Sequence, residues 1–261
     1  MSYVDISPWR LLIVLALLGS ALFVSWRAKL DLGKDLVVGA LRGAVQLLAV
    51  GYLLLVLFRN QRPAWVFLVL AVMLGVAAWT SARRVESGPG ARILVPRALL
   101  AIVVGSSIAL VPVFLFVVSP TPWFEARYII PISGMIVANA MNVVAQVNER
   151  IFASAKAERA EIEQWLALGA SPKQAVARHV RVALRAALIP TINGLLTVGL
   201  VALPGMMTGQ IVSGTAPEHA VRYQIVIMYQ LVIVAAVSGG TAAWLARRAL
   251  FTKAEQLRKL G

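Results

Sequence analysis

The sequence predicts an all-α, polytopic membrane protein with seven transmembrane helices, its N-terminus outside and its C-terminus in the cytoplasm. Three observations predict it. Of 261 residues, 60% are hydrophobic and only 14% charged, well under the charged share of about a quarter found in soluble domains. The apolar residues fall in nearly charge-free runs of about 20, the length a helix needs to cross the hydrocarbon core. The basic residues collect in alternate connections between these runs, as the positive-inside rule requires. Cysteine is absent, which removes disulfides, thiolate metal sites and cysteine nucleophiles together. A net charge of +14 would suggest nucleic acid in a soluble chain. Here loop bias accounts for it, and no nucleic-acid partner is expected.

The first apolar run, Leu11–Trp26, starts after Arg10, and with Pro8 and Trp9 at the interface the span covers about 9–26. Its flank, Ser25-Trp26-Arg27-Ala28-Lys29, lacks a small-x-small cleavage site, so it is read as a retained span. The second, 36–58, holds one charge, Arg42. The third is 63–82. The fourth, 98–118, ends before Ser119-Pro120-Thr121-Pro122. The fifth is 128–148, the sixth 186–205 and the seventh 223–246, all within one transmembrane domain, 1–261. Seven crossings place the termini on opposite sides. Nineteen of the 25 basic residues share one side: Arg27, Lys29 and Lys34; Arg83, Arg84, Arg92 and Arg97; seven from Arg150 to Arg185; and five from Arg247 to Lys259. That side is cytoplasmic. Gly39-x-x-x-Gly43 and Gly205-x-x-x-Gly209 have the spacing that lets helices approach closely. Packing inside one subunit and a dimer seam both fit.

The cytoplasmic loop 149–185 is the longest charged segment. Glu158, Glu161 and Glu163 crowd the start of a helix-forming stretch, where negative charge suits the helix dipole. Ile162, Trp165 and Leu166 share one face. Gly169 stops that helix. Ser171, Pro172 and Gln174 then form a capping box with proline at the first helical position. The spacing of Glu163 and Gly169, followed by Ala-Ser, looks like the EAA-type loop of ABC transporter permeases, in which a short helix docks on an ATPase. Glu161, Glu163, Trp165, Leu166 and Gly169 would carry the coupling, with Trp165 and Leu166 as the docking face. The following proline comes late, at Pro190, and an ordinary solvated amphipathic loop also fits the spacing.

Within the spans, Arg42 lies one turn before Gln46. An intramembrane charge costs at least about 2.5 kcal/mol, so it faces a cavity or partner, or snorkels to the interface. Ser133 lies between Pro131 and Gly134, which are expected to bend span five. Asn139, Asn142 and Gln146 form a polar stripe that serves either interhelical bonding or a substrate path. In 203–211, Leu-Pro-Gly-Met-Met-Thr-Gly-Gln-Ile, a break is expected. Met206 and Met207 either pack or touch a metal, and Gln210 follows one turn on. Arg42, Gln46, Ser133, Asn139, Asn142, Met206, Met207 and Gln210 are the candidate path residues.

These segments together resemble the FetB permease family, once an uncharacterised protein family. The segments are Pro-Ile-Ser-Gly-Met (131–135), Asn-Ala-Met-Asn (139–142), Leu-Ala-Leu-Gly-Ala-Ser (166–171), Leu-Ile-Pro-Thr-Ile-Asn (188–193), 203–211 and Ala-Val-Arg-Tyr-Gln-Ile (220–225). Residues 39–58 fit as well; Ala138 departs from the family's usual glycine. The resemblance implies a multi-pass permease of the bacterial inner membrane. It would work, as a homodimer among membrane lipid, with a separate ABC ATPase in iron export, metal homeostasis and oxidative-stress resistance. Similar plant proteins are tied to aluminium tolerance and UDP-glucose movement. No Asp or Glu lies inside a predicted span, whereas ferric ion wants oxygen ligands such as carboxylates. An anionic iron chelate or an organic anion such as a UDP-sugar is therefore also expected as cargo.

The chain has no G-x-x-x-x-G-K-[ST], so it is not expected to be an enzyme or to bind a cofactor, and ATP is used by the partner. A stand-alone channel or secondary transporter is the competing class; the lack of intramembrane acids argues against proton coupling. A receptor shares the seven-span topology but would carry an extended outer domain, which is missing here.

Overall fold

The computed structural model describes residues 8–29, 33–60 and 62–258. Lys259, counted above among the cytoplasmic charges, lies outside them. The described chain is all-α, with two isolated β-bridges and no strand. Six of its helices are long and apolar enough to cross a membrane. The chain divides into two compact units, Met1–Gln61 and Arg62–Gly261.

The first unit holds α1 (Pro8–Arg27) and α2 (Gly33–Arg59). The first predicted crossing falls on α1. Its apolar part that is described in full, Ala16–Arg27, is shorter than a crossing needs. α2 spans about 40 Å at 1.5 Å per residue and exposes Leu41, Val45, Leu48 and Tyr52, side chains that lipid would cover. A Cβ added at Gly39 or Gly43 meets nothing within 4 Å. This motif therefore packs against nothing among the described residues.

The second unit holds α3 (Pro63–Arg83), α4 (Ala91–Pro112) with a π-helical turn at Val113–Val117, α5 (Ala126–Ala157), α6 (Arg159–Ala167), α7 (Pro172–Ala175), α8 (Ala177–Thr197), α9 (Gly205–Val212) and α10 (Pro217–Leu250). α10 packs on α4, α5, α8 and α9, while α3 packs on α4 and α5. The closest approach is α4 on α10. A Cβ at Gly105 would lie 2.7 Å from the Ser238 Cβ and 2.9 Å from its backbone nitrogen. On the adjoining face of α10, a Cβ at Gly239 would lie 3.0 Å from Val143 of α5. The helices thus meet at Gly105, Ser238 and Gly239. The motif at Gly205 and Gly209, like that on α2, has open space around it.

Several predicted boundaries shift. Span five, expected at 128–148, extends to Ala157 because its charged continuation is amphipathic: Ile151 and Phe152 are buried in the core. Span four starts at Ala91 rather than 98, and span seven runs 217–250, with Pro217 in its first turn. Charges ended the predicted spans, but backbone hydrogen bonding continues past a charge into water. The expected bend in span five leaves no interruption, since α5 is helical through Pro131 and Gly134. Span six is displaced: α8 ends at Thr197 instead of 205. The chain turns at Gly199 (φ +80°), bridges Val198 to Ala202, and restarts as α9 after Pro204. The expected break therefore lies at 198–204, and Gly209 sits inside a helix.

Candidate functional site

Two regions carry the predicted residues. The first is the elbow between α5 and α8. α6 buries Ile162 completely, and Leu166 is half-buried against the same core. Trp165 is 51% exposed and Leu168 82%. The expected docking pair therefore divides: Leu166 faces inward, and Leu168 joins Trp165 outside. Gly169 (φ +87°) ends α6 in the left-handed conformation that suits glycine. Its N–H donates to the Leu166 carbonyl, and that of Ala170 donates to Trp165, both at 3.0 Å. This is a Schellman stop. The Ser171 Oγ accepts from Gln174 N–H and Gln174 Oε1 accepts from Ser171 N–H, closing the capping box. The second helix is one turn, α7, before α8 begins.

The elbow acids are paired. Glu163 meets Arg159 at 2.6 Å, and Glu161 lies 3.9 Å from Arg178. Glu158 lies 3.8 Å from the buried His179. Arg159 also reaches the chain's other end. Its guanidinium donates to the Arg258 carbonyl at 3.0 Å and to that of Leu257 at 3.4 Å. Residues 251–258 fold back through a Phe251–Leu257 bridge, with both side chains in the core. This latch was invisible to sequence reading. The alternation of Phe251 and Leu257 is too short to indicate a strand.

The second region is a vestibule around the 198–204 turn. A cavity of about 290 Å³ is lined by Met207, Gln224, Met228 and Tyr229. A neighbour of about 360 Å³ is lined by Asn139, Pro190, Thr191 and Leu231, and the two share Val198, Pro204 and Met228. Gln224 is buried, and its Oε1 has no hydrogen-bond partner among the described residues; the same holds for Gln210 Oε1. Of the predicted path residues, Asn139 and Met207 line these cavities. Met206 does not. Asn139 binds helices together: its Nδ2 donates to the Leu231 carbonyl at 2.9 Å, and its Oδ1 accepts from Thr191 at 3.3 Å. Asn142 accepts from Arg84 at 2.9 Å, away from the vestibule. Next to it, the Glu149 carboxylate accepts from the Glu86 N–H and the Ser87 hydroxyl, tying the α3–α4 connection to α5. Ser133 lines a separate cavity between α3, α4 and α5. Arg42 and Gln46 belong to the first unit and are exposed there. Sequence reasoning missed Gln224, Met228 and Tyr229 as lining residues, although Gln224 lies inside the quoted 220–225 segment and Met228 stands one helical turn after it.

Residues 8–251 match the uncharacterised protein family UPF0014. The chain belongs to the UPF0014 family. It is 34% identical to the UPF0014 membrane protein YjkA of Bacillus subtilis, covering 99% of each chain. It is 35% identical to the probable iron export permease protein FetB of Escherichia coli, over 97% of this chain and 95% of that one. It is also 35% identical to the protein ALUMINUM SENSITIVE 3 of Arabidopsis thaliana, over 97% and 89%. No solved structure matches. This UPF0014 chain is a multi-pass membrane protein of the inner membrane. The helix α9 that follows the vestibule turn lies on the 203–211 segment, and the stop of α6 lies on the 166–171 segment, by which the sequence first resembled the family.

Proposed function

We propose that this UPF0014 chain is the permease subunit of an ABC transporter, exporting iron and contributing to metal homeostasis and oxidative-stress resistance. Two copies would work with two cytoplasmic ATPase subunits that supply all the ATP hydrolysis. The observation that carries the reading is the elbow. A short helix fixed by caps at its far end presents Trp165 and Leu168 to water, between two helices of membrane-spanning length. An exposed aromatic and leucine on a charged tip suit a pocket on a partner. The relative named as an iron export permease supports the cargo.

The vestibule bears on the form of that cargo. Among the described residues no three His, Cys, Asp or Glu gather to hold a metal. Among the described residues that line the vestibule, the unpartnered group is the amide oxygen of Gln224. Such an acceptor suits a cargo that presents donors, such as ligand hydroxyls or coordinated waters. It suits a bare trivalent cation poorly, because such an ion favours carboxylate ligands. Iron crossing as a hydroxyl-bearing chelate fits best. A sugar nucleotide presents the same donors and is the second reading.

The test is ATPase activity of the reconstituted permease–ATPase pair, screened over free iron, iron chelates and UDP-sugars. Stimulation by chelates is the expected result; stimulation by free iron alone overturns the chelate reading. Trp165→Ala with Leu168→Ala should insert normally, yet fail to co-purify the ATPase. Retention of the ATPase by that double variant would remove the elbow from the docking role.

A further inference from the structure

The cavity that holds Ser133 lies apart from the vestibule. It measures about 320 Å³ and is walled by Phe67 and Leu74 of α3, Leu110 of α4, Phe114 of the π-turn, Val137 of α5, and Trp123 in the connection before α5. Three serines interrupt this apolar wall, the exposed Ser107 and the buried Ser106 and Ser133. Ser106 on α4 is 4% exposed and Ser133 on α5 is 1% exposed, and neither Oγ has a hydrogen-bond partner among the described residues.

That is unusual for serines in apolar helices, which ordinarily donate to the carbonyl one turn back. Elsewhere several do: Ser238 donates to Val234, Ser213 to Gly209 and Thr241 to Val237, while Ser81 on α3 is a further buried serine without a partner among the described residues. A buried hydroxyl without a partner is destabilising, so two of them on one cavity wall require an account. The π-turn at Val113–Val117 borders the same cavity, and such irregular turns gather at functional sites.

The wall chemistry restricts the occupant. No charged side chain lines the cavity, so a phosphate, carboxylate or ammonium head would be buried without a counter-charge. The hydroxyls need an acceptor, and a carbonyl oxygen has two lone pairs to offer. Trp123, 62% exposed and 5.8 Å from the ring of Phe67, stands at the open side. It offers a flat apolar surface that an entering ring or chain can slide along. The volume is at the small end of ligand cavities, enough for a headgroup whose tail stays outside.

We infer that this cavity binds a neutral, lipid-soluble carbonyl compound, whose carbonyl accepts from the hydroxyls of Ser106 and Ser133. Two membrane sources carry that group: a quinone ring and a glycerol ester. The site does not depend on the transport reading.

Delipidated, purified protein should be titrated with a decyl-benzoquinone and, separately, with dioctanoylglycerol, following tryptophan fluorescence and melting temperature. Saturable binding of either probe is expected, and which one binds identifies the source. Trp123→Phe should remove most of the fluorescence change while leaving the ligand-induced rise in melting temperature. Ser106→Ala and Ser133→Ala should each weaken binding roughly tenfold, the loss of one hydrogen bond. Without ligand they should melt no lower than the original, since each loses an unpartnered group. Absence of saturable binding of both probes to the unaltered protein overturns the site, whatever the variants do. Unchanged affinity in both serine variants overturns it as well.

Discussion

At Gly105 the fold depends on a missing methyl group. The Ser238 backbone nitrogen stands 2.9 Å from where that methyl would be, closer than any Cβ contact tolerates, and backbone cannot swing aside. Gly105→Ala should therefore force α4 off α10, at a cost of about 1–3 kcal/mol typical of overpacking. Gly43→Ala, where nothing lies within 4 Å, should change stability by under about 0.5 kcal/mol. Melting curves of the two variants in detergent check the contrast, and equal effects would overturn it. Spacing alone did not single out Gly105. Among the described residues Gly39 and Gly43 carry the motif without a contact, whereas Gly105 is followed by serines and belongs to no glycine pair. Close approach is a property of two surfaces, and one helix's sequence contains only half of it. The same holds for Asn139, whose spacing fitted both a path and a helix bond until Leu231 and Thr191 were seen beside it.

Among the elements, the elbow was the most legible and the 198–204 turn the least. Caps are local: Gly169, Ser171, Pro172 and Gln174 each act on backbone groups within four residues, so sequence order carries the geometry. The turn hides because Leu200 and Val201 are apolar, yet 89% and 83% exposed. In lipid, an apolar residue is equally at home on a helix or in a turn, so the polarity that marks a loop in water is lost. The C-terminal latch is likewise a meeting of distant segments. Arg159→Ala removes both donors to the tail carbonyls. The segment 251–258 should then open roughly ten times more often, the worth of about 1.4 kcal/mol. Faster tryptic cleavage at Lys253 and Arg258 would register the opening, and an unchanged cleavage rate would show that the latch bears no load.

For the whole molecule, orientation is the open physical quantity, and the residues offer two markers of it. Arg83 lies over Trp79 at 4.9 Å, and Arg248 over Trp244 at 3.9 Å. Both pairs sit in the last turns of their helices, α3 and α10, and the positive-inside rule predicts that these ends face the cytoplasm. The absence of cysteine makes the chain a ready background for single-thiol mapping. Ser87→Cys and Ser171→Cys should react with a membrane-impermeant maleimide only from the cytoplasmic side. Trp123→Cys and Thr215→Cys should react only from outside. Labelling of all four from one side would refute the alternating topology. The all-α, multi-pass class was legible from hydropathy because the bilayer sorts apolar runs on a coarse scale. Which helices touch was not legible, because hydrocarbon is as apolar as leucine.

One uninterrupted helix links the two regions of interest. α5 carries Asn139 into the vestibule wall and ends at Ala157, one residue short of α6. Eighteen residues of α-helix separate those points, about 27 Å of rod. It has no internal hinge, because Pro131 falls on the far side of Asn139. A connecting rod of this kind neither stores nor dissipates a displacement along its axis. An ångström of travel imposed at the elbow arrives as an ångström at Asn139, where the bonds to α8 and α10 set which walls of the cavity move with it.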